Sequence, residues 1–170
     1  MRTPGQGRYA HVEREQRWRL AGVPDSATHH ADIVDRYIHG TRMRLRRVIA
    51  PEGETLKFAQ KVRVTESNPE TVGLTNMYLS RGEYETLSLL PFAELRKVRW
   101  RMSTGERTFA VDEFRGRHEG LVLAETELDE GAVLLPIPVF ALIDVTHDDR
   151  FSGGALAFAT DGTLSELLNG

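Results

Sequence analysis

The chain has 170 residues, of which 40% are hydrophobic and 28% are charged, values typical of one globular domain with a buried core. Its net charge of −3 argues against nucleic-acid binding over the whole surface, so no specific nucleic-acid partner is expected. Because cysteine is absent, disulfides and thiolate metal sites are excluded, and a bound metal would need oxygen or histidine ligands.

The sequence contains no run of about 18 apolar residues and no signal-peptide pattern, which predicts a cytoplasmic protein with no membrane contact. Residues 1–7 contain two glycines and a proline and are expected to form a flexible tail. Residues 8–170 are expected to form a single domain. A homodimer is compatible with this composition, which does not specify an oligomeric state.

The first half of the chain predicts strands interrupted by one short helix. A strand is expected over residues 8–20, and the turn residues Gly22–Asp25 end it. Asp25 or Ser26 is expected to cap a short helix that continues to about residue 32. Four further strands are then expected at residues 33–38, 41–49, 56–64 and 71–79.

The second half begins with a capping-box pattern at Ser80–Glu83, which predicts a helix over residues 84–90, stopped by Pro91. An antiparallel meander is expected next, and His118 in one of its turns is expected to be exposed. Its strands are expected at residues 94–102, 107–115 and 119–128, with helical patterns near 154–159 and 164–168. The total of eight strands is enough to close a barrel without unpaired edges.

Charged residues recur at every second position in five segments, and this period places them on one face of a strand. The opposite face of the same strands is apolar and needs cover, so the charged face is expected to point inward. The resulting fold class is α+β, mainly β: an eight-stranded antiparallel tunnel-like barrel with a polar lumen and short flanking helices. The inward face would gather the basic residues Arg17, Arg42, Arg44, Arg46, Lys57, Lys61, Lys97, Arg99 and Arg101, and the acidic residues Glu13, Glu15, Asp112, Glu125 and Glu127.

Such a lumen suits a ligand that is strongly anionic and carries metal ions. Guanidinium and ammonium groups match phosphate oxygens, and carboxylates are ligands for Mg²⁺ or Mn²⁺. The alternative is that each segment is a solvated strand face with cross-strand ion pairs.

The same segments, in this order, resemble the CYTH domain, the triphosphate tunnel metalloenzyme superfamily. Glu13-Arg14-Glu15-Gln16-Arg17 resembles the E-x-E-x-K signature that opens this domain. The resemblance implies an eight-stranded antiparallel tunnel that binds triphosphate compounds together with a divalent metal. It continues through Arg44-Leu45-Arg46, Lys61, Lys97-Val98-Arg99-Trp100, residues 111–116 and the G-L-x-x-A-E-x-E segment at residues 120–127, with a weaker match at residues 145–151.

The resemblance also implies roles for individual residues. The metal would be held by Glu13, Glu15, Glu125 and Glu127, with Asp112 assisting. Phosphate would be contacted by Arg44, Arg46, Lys61, Lys97 and Arg99, and by extension along the same faces by Arg17, Arg42, Lys57 and Arg101. The candidate catalytic residues are Lys97, Glu13 and Glu15, with Lys97 protonating the leaving phosphate.

Three departures from the family pattern bear on this assignment. Arg17 replaces the usual lysine, and Ala59 stands where many members have threonine. The fifth strand has no acidic pair, because residues 75–78 read Thr-Asn-Met-Tyr. This last departure weakens the expectation of a second metal ion.

Three functions remain open from the sequence. The first is a metal-dependent hydrolase acting on inorganic tripolyphosphate or on a nucleoside or thiamine triphosphate. The second is a class IV adenylate cyclase, for which no adenine pocket is identified. The third is a non-catalytic protein that binds polyphosphate or triphosphate, and the missing acidic pair keeps it under consideration.

Overall fold

A closed antiparallel barrel of eight strands forms the body of the protein, as the strand count predicts. The computed structural model describes residues 10–63 and 71–169, so the expected tail over residues 1–7 lies outside the described residues. The strands follow the order β5-β4-β3-β2-β6-β7-β8-β1 around the barrel. They are β1 (Ala10–Leu20), β2 (Thr28–Ile38), β3 (Met43–Ala50), β4 (Gly53–Arg63), β5 (Thr71–Tyr78), β6 (Phe92–Thr104), β7 (Arg107–Phe114) and β8 (Val122–Glu127).

The first strand closes the barrel because its two halves pair with different neighbours. Residues 10–14 of β1 pair with β5, and residues 15–20 pair with β8. A two-residue strand that the sequence analysis did not predict, β9 (Ile143–Asp144), pairs with Trp18 and Arg19 of β1. Closure provides hydrogen-bond partners for the backbone N–H and C=O groups that the edges of an open sheet would leave exposed.

The segment expected to form a short helix up to residue 32 is instead the first part of β2, so that expectation was wrong. β2 pairs with β6 from Thr28 to Ile38, with a register shift between His29 and Ala31. Hydrogen bonding along this whole segment outweighs the local capping signal of Asp25 or Ser26, since tertiary pairing overrides weak local propensity.

Three helices accompany the barrel: α1 (Arg81–Leu87), α2 (Gly153–Phe158) and α3 (Asp161–Asn169). The expected capping box of α1 is confirmed, because Ser80 and Glu83 cap each other's backbone N–H groups. Tyr84 of α1 packs on Leu45 and Leu56 of the barrel wall. Within the described ranges, every helix is too short or too polar to cross a bilayer.

Another part of the apolar outer face is covered by irregular chain rather than by a helix. Trp18 and Val111 are fully buried there. They pack in a cluster with Leu135, Phe140 and Ala141 from the segment between β8 and β9. The apolar strand face therefore points outward as expected, but helices provide only part of its cover.

The two C-terminal helices close one end of the barrel. Leu95, Phe114 and Leu123 lie two residues from Lys97, Asp112 and Glu125 respectively, and alternation places each on the same strand face as its charged neighbour. This end of the lumen is therefore apolar, and in the described part of the chain the charged residues lie toward the other end. The apolar cluster includes Phe151, Leu156, Ala157, Leu164 and Leu167 from the C-terminal segment.

His118 is buried beneath α2, so the expectation that it is exposed was wrong. It lies in a 3-10 turn, Gly116–His118, and its Nε2 is 2.8 Å from the Leu156 carbonyl oxygen. Burial lowers the pKa of His118, and the neighbouring positive charge of Arg117 lowers it further. α2 packs on this turn through Leu156, and no local sequence signal indicates this contact.

We predict that Gly153→Ala will destabilise the protein by about 1–3 kcal/mol, the usual cost of overpacking. A Cβ atom at Gly153 would overlap the hydroxyl group of Tyr37, which points from β2 toward the first turn of α2. The measurement is the free energy of unfolding in urea.

Gly154→Ala is the matched control, because a Cβ there meets the Tyr37 ring at 3.9 Å, an ordinary contact. Alanine is a better helix former than glycine, so this variant should be as stable as the wild type or more stable by up to about 1 kcal/mol. Equal destabilisation by both substitutions would contradict the close approach of Tyr37 to Gly153.

Candidate functional site

A basic wall on β2 and β3 is built around a buried carboxylate. Asp35 of β2 lies opposite Arg46 of β3 and is fully buried. Arg46 donates two hydrogen bonds to it, from Nε at 2.6 Å and from Nη2 at 2.7 Å. Arg44 Nε lies 3.5 Å from the same carboxylate. Two predicted phosphate ligands, Arg44 and Arg46, are therefore brought together by an acid that the sequence analysis did not single out.

A second carboxylate of the same kind lies on β7. Asp112 is buried and accepts hydrogen bonds from Nε and Nη2 of Arg99, both at 2.7 Å. Lys97 also donates to Asp112. Both carboxylate oxygens of Asp112 are thus engaged by cations of β6. In this arrangement Asp112 holds Lys97 and Arg99 in place.

Glu125 of β8 forms the third ion pair of the lumen, in which both partners are half-buried. Arg17 Nε donates to it at 2.6 Å, and Arg99 Nη2 lies 3.8 Å away. Arg17 also donates from Nη1 to the carbonyl oxygen of Phe151, at the closed end. Arg17 therefore links the barrel wall, a lumen carboxylate and the C-terminal segment.

The remaining acidic residues gather where β1 meets β8. Glu15 lies directly opposite Glu127, and Glu13 is two residues away on the same face. Lys61 Nζ approaches this group, at 3.1 Å from Glu15 and 3.8 Å from Glu13. Burial raises the pKa of Glu13, and the negative charges of Glu15 and Glu127 raise it further. We call Glu13, Glu15 and Glu127 the carboxylate group.

An open cavity of about 860 Å³ connects the lumen to the surface beside the carboxylate group. Its lining includes Glu15, Arg99, Arg101, Glu125 and Glu127. A different cavity of about 750 Å³, which Leu134 and His147 help to line, contains none of the predicted site residues. The larger cavity is therefore the candidate entrance.

Three of the predicted phosphate ligands lie farther from the buried ion pairs. Arg101 is exposed on β6, near the end of the strand. Lys57 lies 5.2 Å from the ring centroid of Tyr78, which is largely exposed. Arg42 is exposed and precedes β3, where its carbonyl oxygen accepts a hydrogen bond from the Lys61 backbone. These cations lie at the edge of the site rather than within it.

The pKa values of the buried acids reflect a competition between burial and ion pairing. Burial alone would raise the pKa of Asp35, but the positive charges of Arg46 and Arg44 outweigh it and hold the pKa well below its usual range. The same competition lowers the pKa of Glu125, where Arg17 is the strongest attracting charge. Both carboxylates therefore remain ionised in the folded protein at neutral pH.

For the pKa of Lys97, burial outweighs ion pairing. Burial lowers the pKa of its ammonium group, and repulsion from Arg99 and Arg46 adds to this, against the attraction of Asp112. A buried ammonium with a lowered pKa releases its proton more readily than a solvated lysine. The role of Lys97 as a proton donor stays a prediction.

The sequence analysis missed Asp35 and Tyr37, which share the inner face of β2. Burial raises the pKa of Tyr37, and its ring centroid lies 5.9 Å from the Arg44 guanidinium. The available signal was the alternation Ile33-x-Asp35-x-Tyr37. It carries only one charge, so it does not stand out beside strands with two or three.

The donor chemistry of the carboxylate group fits a hard divalent cation. Its members supply oxygen ligands, and the pKa of Glu13 is raised first by burial and then by repulsion from Glu15 and Glu127, which a cation would relieve. Lys61 already provides a positive charge beside Glu13 and Glu15. Nevertheless, within residues 10–63 and 71–169 no three His, Asp or Glu side chains are grouped closely enough to hold a metal ion. The carboxylates would have to converge on binding.

Comparison with known proteins identifies the fold. No family model and no curated protein matches the sequence. A crystal structure of the hypothetical protein NE1496 is similar at 22% identity, with a TM-score of 0.58 over 85% of this chain and 97% of that chain. A structure of the inorganic triphosphatase NE1496 is similar at 20% identity, with a TM-score of 0.57 over 87% and 95% of the two chains. The chain has a CYTH-like tunnel fold.

We predict that the stability of the protein will fall as the pH decreases below about 4.5. Glu125 has an ordinary pKa of 4.5 and a lowered pKa in the fold, because ion pairing with Arg17, Lys97 and Arg99 outweighs the effect of burial. Its stabilising contribution is therefore complete above pH 4.5 and is lost as the pH falls toward the lowered value. The measurement is the melting temperature between pH 7 and pH 2.

Glu125→Gln should be less stable than the wild type at pH 7 by about 3–5 kcal/mol, because it leaves Arg17 without its buried partner. It should also lose less stability on acidification. Glu130→Gln, at an exposed position, is the control and should follow the wild type. Parallel pH profiles for Glu125→Gln and the wild type would contradict the assignment.

Proposed function

We propose that this chain is a divalent-metal-dependent hydrolase of triphosphate compounds, with inorganic tripolyphosphate or a nucleoside or thiamine triphosphate as substrate. One observation carries the proposal. A single closed barrel holds the arginines paired with Asp35 and Asp112 in its interior and the carboxylate group at its open side. The structural likeness to the inorganic triphosphatase NE1496 supports the same chemistry.

The phosphate chain would lie along the basic wall. Arg46 and Arg99 each use Nε and Nη2 to hold a carboxylate, which leaves the Nη1 hydrogens and one Nη2 hydrogen for a ligand. Arg44 Nε is buried without a hydrogen-bond partner, although Asp35 lies near it. Because Nε is closed to solvent, the exposed part of the Arg44 side chain, and not Nε, would meet a phosphate oxygen.

Glu13, Glu15 and Glu127 would hold the divalent cation, Mg²⁺ or Mn²⁺, on the open side of the phosphate chain. When bound, such a cation neutralises phosphate charge and polarises a phosphorus–oxygen bond. Lys61 would move from the carboxylate group toward phosphate as the cation arrives, since its ammonium then faces two positive charges. Glu125 would stay paired with Arg17.

The residues of the lumen would promote phosphoryl transfer to water mainly by position and charge. Arg44, Arg46 and Arg99 would stabilise the negative charge that spreads over the transferred group. Lys97 would donate a proton to the leaving phosphate oxygen and be restored from solvent through the open side. The apolar closed end, where Leu95 and Phe114 lie, would exclude water beyond the phosphate chain.

A second candidate function is non-catalytic binding of triphosphate or polyphosphate. Two observations favour it: β5 presents Asn76 and no carboxylate, and the carboxylate group does not form a ready three-ligand site in the described part of the chain. It shares the basic wall with the first candidate and differs only in turnover.

We expect purified protein to release phosphate from tripolyphosphate in the presence of Mn²⁺ or Mg²⁺. Glu127→Gln should reduce this rate by about 100-fold or more, because it removes both a ligand and a neutralising charge. The same variant should bind tripolyphosphate without metal as well as the wild type does, or better. Phosphate release and isothermal titration calorimetry provide the two measurements.

Arg44→Ala should show the reverse pattern, weakening metal-free tripolyphosphate binding by about 10- to 100-fold. Arg47→Ala is its matched control, because Arg47 lies on the opposite face of β3 and pairs with Glu54 at 2.6 Å. Binding without turnover, in either metal and with every triphosphate tested, would favour the non-catalytic function. Equal loss of metal-free binding in Glu127→Gln and Arg44→Ala would contradict the division of roles.

Tripolyphosphate should also raise the melting temperature. The buried cations repel one another in the absence of ligand, and a ligand that binds only the folded state stabilises it by about 2.7 kcal/mol at 100 times its dissociation constant. For a chain of this size the expected shift is about 5–10 °C. Differential scanning fluorimetry with tripolyphosphate, and with sulfate at matched ionic strength, tests this. No difference between the two anions would argue against a triphosphate site.

A further inference from the structure

The inner faces of β2, β3 and β4 carry a single carboxylate, that of Asp35. The inner positions of these fully described strands are otherwise apolar, hydroxyl-bearing or basic. Asp35 lies in the register row Asp35–Arg46–Lys57–Tyr78, which runs across four strands. Its side chain is 0% exposed, whereas Tyr78 at the far end of the row is 74% exposed. The row thus leads from the interior of the site to its rim.

The contact between Asp35 and Arg46 fixes the direction of the guanidinium plane. Both hydrogen bonds come from the Nε side of the group, at 2.6 and 2.7 Å, so the plane cannot rotate without breaking one of them. Arg99 is held by Asp112 through the same two atoms at nearly the same distances. The lumen therefore contains two guanidinium groups held in the same way by two buried carboxylates.

The free edge of Arg46 has no other partner in the described part of the chain. Its side chain is 14% exposed, so part of it remains accessible from the lumen. Arg44 lies beside this pair, with its Nε 3.5 Å from Asp35 and part of its side chain exposed to the lumen. One carboxylate thus orients one cation and lies within reach of another.

We propose that Asp35 is a positioning residue of the phosphate site, which holds the Arg46 guanidinium by its Nε edge so that its outer edge and Arg44 face the same phosphate group. The inference rests on the proposed function, since it assigns the donors of Arg46 and Arg44 to phosphate. Asp35 itself touches no phosphate in this arrangement. Its effect passes through Arg46.

Charge and orientation predict different results when Asp35 is changed. If Asp35 only neutralises charge, Asp35→Glu keeps the charge and should behave as the wild type does. If Asp35 orients Arg46, the added methylene of Asp35→Glu displaces the carboxylate and the guanidinium that it holds. The rate of hydrolysis should then fall although the charge is unchanged. A displacement of about 1 Å at a reacting group is enough to reduce a rate by about 100-fold.

The test compares Asp35→Asn and Asp35→Glu with Asp32→Asn, which lies on the same strand, is exposed and pairs with His29. Steady-state hydrolysis of tripolyphosphate should show kcat reduced by about 10- to 100-fold in both Asp35 variants, with KM not raised. In Asp35→Asn, metal-free binding measured by calorimetry should become more sensitive to salt, because one cation loses its counter-charge. Asp32→Asn should match the wild type.

A measurement without ligand, the hydrogen exchange of Arg46, complements the kinetic and binding experiments. In ¹⁵N-labelled protein, the Nε–H signal of Arg46, assigned by its loss in Arg46→Lys, should exchange slowly with solvent in the wild type and in Asp32→Asn. It should exchange rapidly in Asp35→Asn. If Asp35→Asn does not fold, Asp35→Glu supplies both the kinetic and the exchange comparison.

The outcomes separate the inference from the function on which it rests. Wild-type kcat in Asp35→Glu, or slow Arg46 exchange in a folded Asp35→Asn, would overturn the positioning role while leaving the triphosphate site intact. If the wild type binds but does not hydrolyse tripolyphosphate, an unchanged affinity and salt dependence in both Asp35 variants would overturn it. A wild type that neither binds nor hydrolyses tripolyphosphate would remove the proposed function and the positioning role together.

Discussion

The barrel depends on pairing buried cations with buried carboxylates. An isolated charge removed from water costs several kcal/mol, so an interior of this kind is stable only when each charge has a close partner and further hydrogen bonds. Three carboxylates, Asp35, Asp112 and Glu125, provide this for the lumen. The remaining features of the protein, including its closed sheet and its apolar end, keep these pairs in one enclosed space.

Closure and enclosure have separate origins in the chain. Closure follows from β1, whose two halves pair with β5 and β8, so that the charged faces of eight strands meet. Enclosure follows from the C-terminal helices, which cover Leu95, Phe114 and Leu123 at one end. Arg17 connects the two, since it pairs with Glu125 and donates to the Phe151 carbonyl. Tyr37 is a second link, because it lies beside Arg44 in the lumen and its hydroxyl group approaches Gly153 of α2.

The sequence predicts the parts of this architecture that repeat and misses those that depend on one contact. Charge at every second residue identified the inner faces of β1, β3, β4, β6 and β8, because a strand has a period of two. It did not identify Asp35, whose neighbours on that face are Ile33 and Tyr37. The buried position of His118 and the helix wrongly expected before residue 32 have the same cause: each depends on a distant partner, Leu156 in one case and β6 in the other.

The distribution of charge along the lumen also affects which ligands can bind. Five cations of the interior, the buried Lys97 and the half-buried Arg17, Arg44, Arg46 and Arg99, face three carboxylates, so an excess of two positive charges remains there. The entrance has the opposite sign, because its carboxylates, which include Glu13, Glu15 and Glu127, outnumber the cations Lys61, Arg101 and Arg107 there. A bare polyanion gains from the interior but is repelled at the entrance. A polyanion that carries a divalent cation gains at both, since the cation meets the carboxylates while the phosphates reach the arginines. The positions of the two signs of charge along the lumen therefore favour the metal-bound ligand that we propose.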